Sequence, residues 1–347
     1  EYWALKYNGR GRGYSLGDII ATTHPEAKSD KQNAIFRYLI GKDYNSELVP
    51  QIHSFEELKK AESVEDKIRL ITEGRLPHEI VTGAIKPDKQ VWQSILYQMP
   101  LFALLRNLNT LDRAGVLDEN KKYITERFSD KESLTKSKIL PFRFLNAFDK
   151  VQSGWAKDVL RQAVELTFNN LPEIPGKTAI FLDISGSMVG EYLKIGSVFA
   201  LALFKKTGGN GVFWLFNTGV YDPQASLHDS ILTQAEKIKA GGGTNTGKPI
   251  LGLIQKEIKV DNIIMITDEQ QNSGSPFYRC LADYRKQINK DTKAFVIDLA
   301  PYNSAMIPST DKNSWYIYGW SDMVLQYISL ACNGLDGMIG KVKSMLL

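Results

Sequence analysis

Residues 178–188, TAIFLDISGSM, constrain this 347-residue chain more than any other stretch. An unbroken apolar run, Ala179 to Leu182, stops abruptly at Asp183-Ile184-Ser185-Gly186-Ser187. A continuous rather than alternating run of strand length is expected for a strand buried on both faces of a parallel sheet. The loop that follows such a strand lies at its carboxyl end, where open α/β sheets place their ligands. Asp183, Ser185 and Ser187 alternate along the loop, and Gly186 lets the backbone turn sharply between two hydroxyls. A carboxylate and two hydroxyls converging on one point make an all-oxygen site suited to a hard cation such as Mg²⁺. Asx and Ser turns at the ends of ordinary strands use the same residue types.

Two further stretches repeat the pattern. Gly241 to Gly247, GGGTNTG, is a glycine loop bearing hydroxyls, and Ile263 to Asp268, IIMITD, is a second all-apolar run ending in Thr-Asp. The order D-x-S-x-S, G-x-T-x-T-G and T-D resembles the metal-ion-dependent adhesion site of von Willebrand factor A domains. That resemblance implies Ser185, Ser187 and Thr244 as direct hydroxyl ligands, with Asp183 and Asp268 acting mostly through bound water. The surrounding rhythm fits. Strands are expected at 178–182, 212–216, 262–267, 293–299 and 315–318. Helices are expected at 191–206, 229–239, 248–259 and 276–289, and after Ser321. Alternating β and α segments of this kind build a mainly parallel, doubly wound sheet.

From Ser29 to Asn170 the pattern is helical with no clear strand. Expected helices include Leu16–His24, Glu56–Ala61, Val64–Ile71, Lys89–Tyr97, Pro100–Leu108, Lys121–Phe128, Lys138–Phe148 and Trp155–Asn169. Many short helices with short connections suggest stacked hairpins of the solenoid type. Residues 99–108, MPLFALLRNL, are similar to the M-P-x-x-A-L-L-R-N-L helix of the Ro autoantigen family, whose module is called TROVE. Leu76-Pro77-His78-Glu79 upstream and Ile139-Leu140-Pro141-Phe142 downstream match that module too, and in Ro proteins it runs straight into an A domain. The resemblance implies an α plus α/β chain: a helical-repeat (HEAT-like) ring segment over 1–172, then a Rossmann-like A domain over 173–347.

It also implies a function. Ro proteins bind small structured non-coding RNAs and the 3′ ends of misfolded RNAs, and some relatives tether a 3′ exoribonuclease through RNA. The implied partners are therefore RNA and such an exonuclease, on a monomeric ring. Glu1 to Gly13, EYWALKYNGRGRG, interleaves aromatics with cations in a way that could stack on bases and neutralise phosphates; a helix end followed by a solvated loop would read the same. The resemblance singles out Lys6, Arg10, Arg12 and His24 as the RNA-contacting residues.

Composition narrows the rest. Net charge is only +4. Cut at Gly176, the first part has 26 Lys+Arg against 24 Asp+Glu and the second 17 against 15, so charge alone does not announce a nucleic-acid protein. No apolar run approaches the roughly 20 residues of a membrane helix. Two cysteines, Cys280 and Cys332, build neither a disulfide framework nor a zinc site, so a reducing, cytoplasmic location is expected. The start at Glu1, without Met, is that expected of a fragment. Gly242 to Lys248 satisfies G-x-x-x-x-G-K, but Pro249 stands where a P-loop needs a hydroxyl for Mg²⁺. No general base adjoins the oxygen cluster, so a docking site rather than an enzyme is expected. Competing readings are a cation-dependent protein-interaction module without RNA and an A-domain subunit of a metal-chelatase-like complex.

Overall fold

The computed structural model describes residues 1–8, 13–300, 306–334, 339–340 and 343. They fall into two compact units, residues 1–124 with 151–153, and residues 125–150 with 154 onward. This division does not coincide with the change from helical to alternating sequence near residue 172.

The first unit is helical. It holds α1 (Tyr2–Tyr7), α2 (Leu16–Thr23), α3 (Asp30–Leu39), α4 (Pro50–Leu58), α5 (Val64–Glu73), α6 (His78–Ala84), α7 (Lys89–Leu96) and α8 (Leu101–Arg113). Several of its helices start where side chains satisfy the free N–H groups of a first turn. Ser15 and Asp18 form a reciprocal capping box on α2, and Ser29, Ser63 and Asp88 cap α3, α5 and α7. α4 begins at Pro50, six residues before the expected start at Glu56, because proline is preorganised for a first helical turn. The buried stripe of α8 is Leu101, Leu104, Leu105, Leu108 and Leu111, the spacing of one helix face. α4 packs on α5 and α6, and α5 packs on α7.

The second unit begins within α9 (Lys121–Ser129) and continues through α10 (Lys131–Ser137), α11 (Leu145–Lys150) and α12 (Gly154–Leu166). The sequence suggests one helix over 138–148, but the chain breaks there. Lys138 ends α10 in the left-handed region (φ 55°), and Pro141 opens a 3₁₀ turn before α11. The sheet follows, with β1 (Thr178–Asp183), α13 (Glu191–Lys206), β2 (Gly211–Phe216), β3 (Val220–Tyr221), α14 (Ile231–Lys237), α15 (Lys248–Gln255), β4 (Asn262–Thr267), α16 (Phe277–Gln287), β5 (Lys293–Asp298), β6 (Ser314–Tyr318) and α17 (Asp322–Cys332).

The strand order is β3-β2-β1-β4-β5-β6, parallel throughout except for β3, which returns antiparallel along β2. A two-residue strand carries no periodicity, so β3 has no sequence signal. Every residue of β1 and β4 is buried, as the continuous apolar runs predict. Ala179, Phe181, Ile263 and Met265 point to the face covered by α15 and α16, with Ile250, Phe277 and Tyr284 in the same cluster. Leu182 and Ile266 belong to the opposite face, under α13, where a Cβ on Gly196 would lie 2.9 Å from the Leu182 side chain and 3.4 Å from Ile266. A helical first part leading into an A-type domain is thus the architecture expected from sequence.

Gly196 sets how closely α13 approaches the sheet. Gly196→Leu should overpack this face and lower unfolding free energy by about 1–3 kcal/mol, read as a reduced urea midpoint with unchanged far-UV circular dichroism.

Candidate functional site

Three loops meet at the carboxyl ends of β1, β2 and β4. Backbone hydrogen bonds tie the first to the glycine loop: Gly186 N–H donates to Gly242 O (2.9 Å), and Gly241 N–H to Ile184 O (2.8 Å). Asn217, just past β2, holds the glycine loop from the other side. Its Nδ2 donates to Gly241 O (2.8 Å) and its carbonyl accepts from Asn245 N–H (2.9 Å). Beyond β4, Asn272 Oδ1 accepts from Thr244 N–H (3.0 Å), and Thr244 O accepts from Ser273 N–H (3.1 Å). These contacts explain two of the three glycines. Gly242 sits at φ 85°, and a Cβ on Gly243 would fall 2.7 Å from Asn272 Oδ1.

Inside this frame Asp183 is fully buried. One oxygen accepts from Ser185 N–H (2.8 Å) and the other from the Thr267 hydroxyl (2.6 Å). Burial pushes its carboxyl up to about 6 against those hydrogen bonds, and nearby Asp268 adds to the rise. The Ser185 and Ser187 hydroxyl oxygens are 3.2 Å apart. Asp268 is 1% exposed, and its Oδ2 has no hydrogen-bond partner. Thr244 is buried on the stitched glycine loop.

A buried carboxylate oxygen left without a donor is costly unless something else satisfies it. Among the described residues no group of three or more His, Cys, Asp and Glu side chains could hold a metal. The side-chain oxygens these loops carry are hydroxyls and two carboxylates, a set that would fit a small hard cation better than zinc or copper. Sequence reasoning missed Asn217 and Asn272, which fix the loops. An Asn-Thr-Gly turn directly after the β2 run was the available signal for the first.

Next to Asp268 stands a further buried acid, Glu269. This residue takes a left-handed backbone (φ 59°), and burial beside Asp298 pushes its carboxyl to about 7.

The RNA candidates lie on the first unit. His24 is exposed and forms the left-handed C-cap of α2 (φ 45°), its N–H donating to Ile20 O (3.0 Å). Lys6 is engaged within the protein. Its Nζ lies 2.6 Å from Tyr2 Oη and 3.5 Å from Glu79, while Tyr2 also donates to Glu79 (2.6 Å). An RNA phosphate would have to compete with Glu79 for this ammonium. Arg10 and Arg12 lie outside the described residues. Trp3 and Tyr7, both at least half exposed, stack with ring centres 5.2 Å apart.

Without a cation, Asp183 binds its proton more tightly in the folded chain than at the ordinary value of 3.8. Between about pH 4 and pH 6 the unfolded chain releases that proton first, so this group's contribution to stability falls as pH rises and stays low above 6. In EDTA, Asp183→Asn should exceed wild type by about 1–3 kcal/mol at pH 7, with the gap closing towards pH 4 in urea denaturation. A gap independent of pH would refute this.

Comparison with known proteins agrees with the architecture. The family model described as "TROVE domain" matches residues 30–194, and that described as "Ro60 vWA domain" matches residues 177–330. The chain is 26% identical over 330 residues to the RNA-binding protein RO60 of Deinococcus radiodurans, covering 86% of this chain and 61% of that protein. It is 25% identical over 317 residues to the RNA-binding protein RO60 of Caenorhabditis elegans, covering 83% and 48% respectively. The chain thus spans less than two thirds of the length of either relative. The crystal structure of the D. radiodurans RO (RSR) protein superposes with a TM-score of 0.80 at 21% identity, over 96% of this chain and 73% of that one, a likeness of fold. The chain thus carries a TROVE domain match running directly into a Ro60 vWA domain match.

Proposed function

We propose that this chain is part of a Ro-type RNA-binding protein. Its first unit would contact structured small non-coding RNA and the single-stranded ends of misfolded RNA, and its second would carry a cation. The observation that carries the reading is the junction of a TROVE domain match with a Ro60 vWA domain match, in a chain similar over most of its length to two relatives named RNA-binding protein RO60. His24, exposed at a helix end, and Arg10 and Arg12 in the glycine-flanked sequence are the proposed phosphate contacts, with Lys6 recruited once it leaves Glu79. Contacts of this kind read phosphate and shape more than base edges. The whole protein would act in the cytoplasm as a monomeric ring that scaffolds RNA quality control or processing, with an exoribonuclease as one partner held through RNA. Binding and scaffolding, rather than catalysis, is the proposed role.

At the second unit, Ser185, Ser187 and Thr244 would hold Mg²⁺ directly, with Asp183 and Asp268 acting through water. The cation would supply positive charge and an open position for a partner's anionic group. The chain's own contribution is orientation. Thr267 and Ser185 N–H fix the Asp183 carboxylate, and Asn217 and Asn272 hold the loop that presents Thr244.

Binding of a small structured RNA with a single-stranded 3′ end, by the full-length parent, should weaken steeply with salt. His24→Ala should weaken it about 3- to 10-fold at fixed salt, whereas Asp183→Ala should leave it unchanged; absence of binding at low salt would refute the RNA reading. Millimolar Mg²⁺ should raise the melting temperature of wild type and leave Asp183→Ala and Asp268→Ala unmoved, as ligand linkage requires. An equal shift in all three would remove the cation from this site.

A further inference from the structure

The proposed function leaves one feature of the first unit unused, an aromatic surface on α1. Trp3 and Tyr7 stand one helical turn apart, and their rings stack with planes 16° apart and centres 5.2 Å apart. Tyr2 meets Trp3 edge-on at 5.5 Å, so the three rings are contiguous. Trp3 is 63% exposed and Tyr7 50%, although Ala4 of the same helix is buried. A single exposed aromatic needs no explanation. Two stacked rings left half or more in water are a ready-made surface for a third.

The rings are fixed before any ligand arrives. Lys6 Nζ donates to Tyr2 Oη at 2.6 Å and lies 5.0 and 5.7 Å from the centres of the Tyr2 and Tyr7 rings. Tyr2 in turn donates to Glu79 of α6 at 2.6 Å. Tying α1 down in this way lowers the ordering cost of binding. The charge left over is positive. Glu79 offsets Lys6, 3.5 Å away. Burial pushes the His78 imidazole down, Glu79 opposes the fall, and Arg106 and Lys6 add to it, so the neutral ring contributes no charge at pH 7. Arg106 of α8 is exposed and makes no ion pair among the described residues. The ring pair and this free guanidinium therefore border the same Lys6, Glu79 and His78 group.

We infer that Trp3 and Tyr7 form a stacking platform for an unpaired base of single-stranded RNA, with Arg106 holding a phosphate of the same strand. The inference rests on the RNA-binding reading and narrows it. This surface takes single strands, since a duplex keeps its base faces inside its own stack. Every base has a π-face, so the platform is indifferent to sequence. A protein segment could also cover the rings. RNA is the favoured occupant because the uncompensated charge is cationic, and because Arg10 and Arg12 follow Tyr7 by three and five residues in the sequence.

The test is titration of the full-length parent, by fluorescence anisotropy, with a short oligoadenylate, an abasic oligomer of equal length and a blunt RNA duplex. The wild type should prefer the oligoadenylate to the abasic strand, a comparison that needs no variant. Trp3→Ala and Tyr7→Ala should each weaken the oligoadenylate about 5- to 100-fold with no change in salt slope, and leave the duplex unmoved. Trp3→Phe, which keeps a ring, should retain most of the affinity. Arg106→Gln should flatten the log–log salt slope by about 0.7, the share of one phosphate on a single strand. Thermal melts verify that each variant folds. Equal affinity of the wild type for oligoadenylate and abasic strand would overturn the platform, as would folded alanine variants that bind like wild type or lose duplex equally. An unchanged slope in Arg106→Gln would overturn the phosphate contact. Acrylamide quenching of wild type against Trp3→Phe reads the indole's exposure in the parent, and a shielded indole would overturn the platform by showing protein on it. Failure of the wild type to bind any RNA at low salt would instead sink the RNA-binding reading itself.

Discussion

A carboxylate with no solvent exposure terminates the central strand, and the second unit is arranged around the cost of keeping it there. An isolated buried charge is disfavoured by several kcal/mol, so Asp183 needs both its donors, the Ser185 N–H and the Thr267 hydroxyl. The first comes from the loop after β1 and the second from the end of β4. The strand order places β1 where the chain reverses its direction of travel across the sheet, with β2 on one side and β4 on the other. The crevice at such a reversal is where doubly wound sheets receive ligands. The Asp183–Thr267 hydrogen bond spans it, so the bond that makes the buried acid tolerable also fixes the two loops relative to each other.

The first unit solves a different problem, that of joining short helices which are marginal alone. Side chains distant in sequence tie them together. The Glu1 carboxylate accepts from Gln51 and Ile52 N–H at 2.8 and 3.2 Å, supplying α4 with the cap that Val49 lacks. Tyr2 ties α1 to α6 through Glu79, whose carboxylate also lies 2.9 Å from His78 Nδ1. Asp112 at the end of α8 accepts from Gln152 and Ser153 N–H, at 2.6 and 3.2 Å, which brings residues 151–153 back to this unit.

How much of this was legible depended on whether the signal was local. β1 and β4 announced themselves because a strand buried on both faces has no choice but to be apolar throughout. α13 was bounded correctly at both ends, and the hydroxyl and carboxylate ends of the strands could be read as a converging site. What sequence could not display was contact between distant residues. Asn217 and Asn272 act through hydrogen bonds to a loop 24 or more positions away. Lys6 looked like a free cation because Glu79, 73 positions downstream, is its partner only in the fold. The helix expected over 138–148 failed for a local reason: Pro141 and the left-handed Lys138 outweighed an otherwise helical apolar pattern.

The short β3 strand has a bearing on how the protein survives in solution. Val220 and Tyr221 pair with Phe216 and Leu215 at the end of β2, where an open row of N–H and C=O groups would template another chain. The turn that brings them there is built on Asn217, which accepts from Gly219 N–H at 2.9 Å while its other groups grip the glycine loop. One asparagine thus serves two masters. A substitution that loosened the loop would also disturb the turn that pairs β3 with the end of β2.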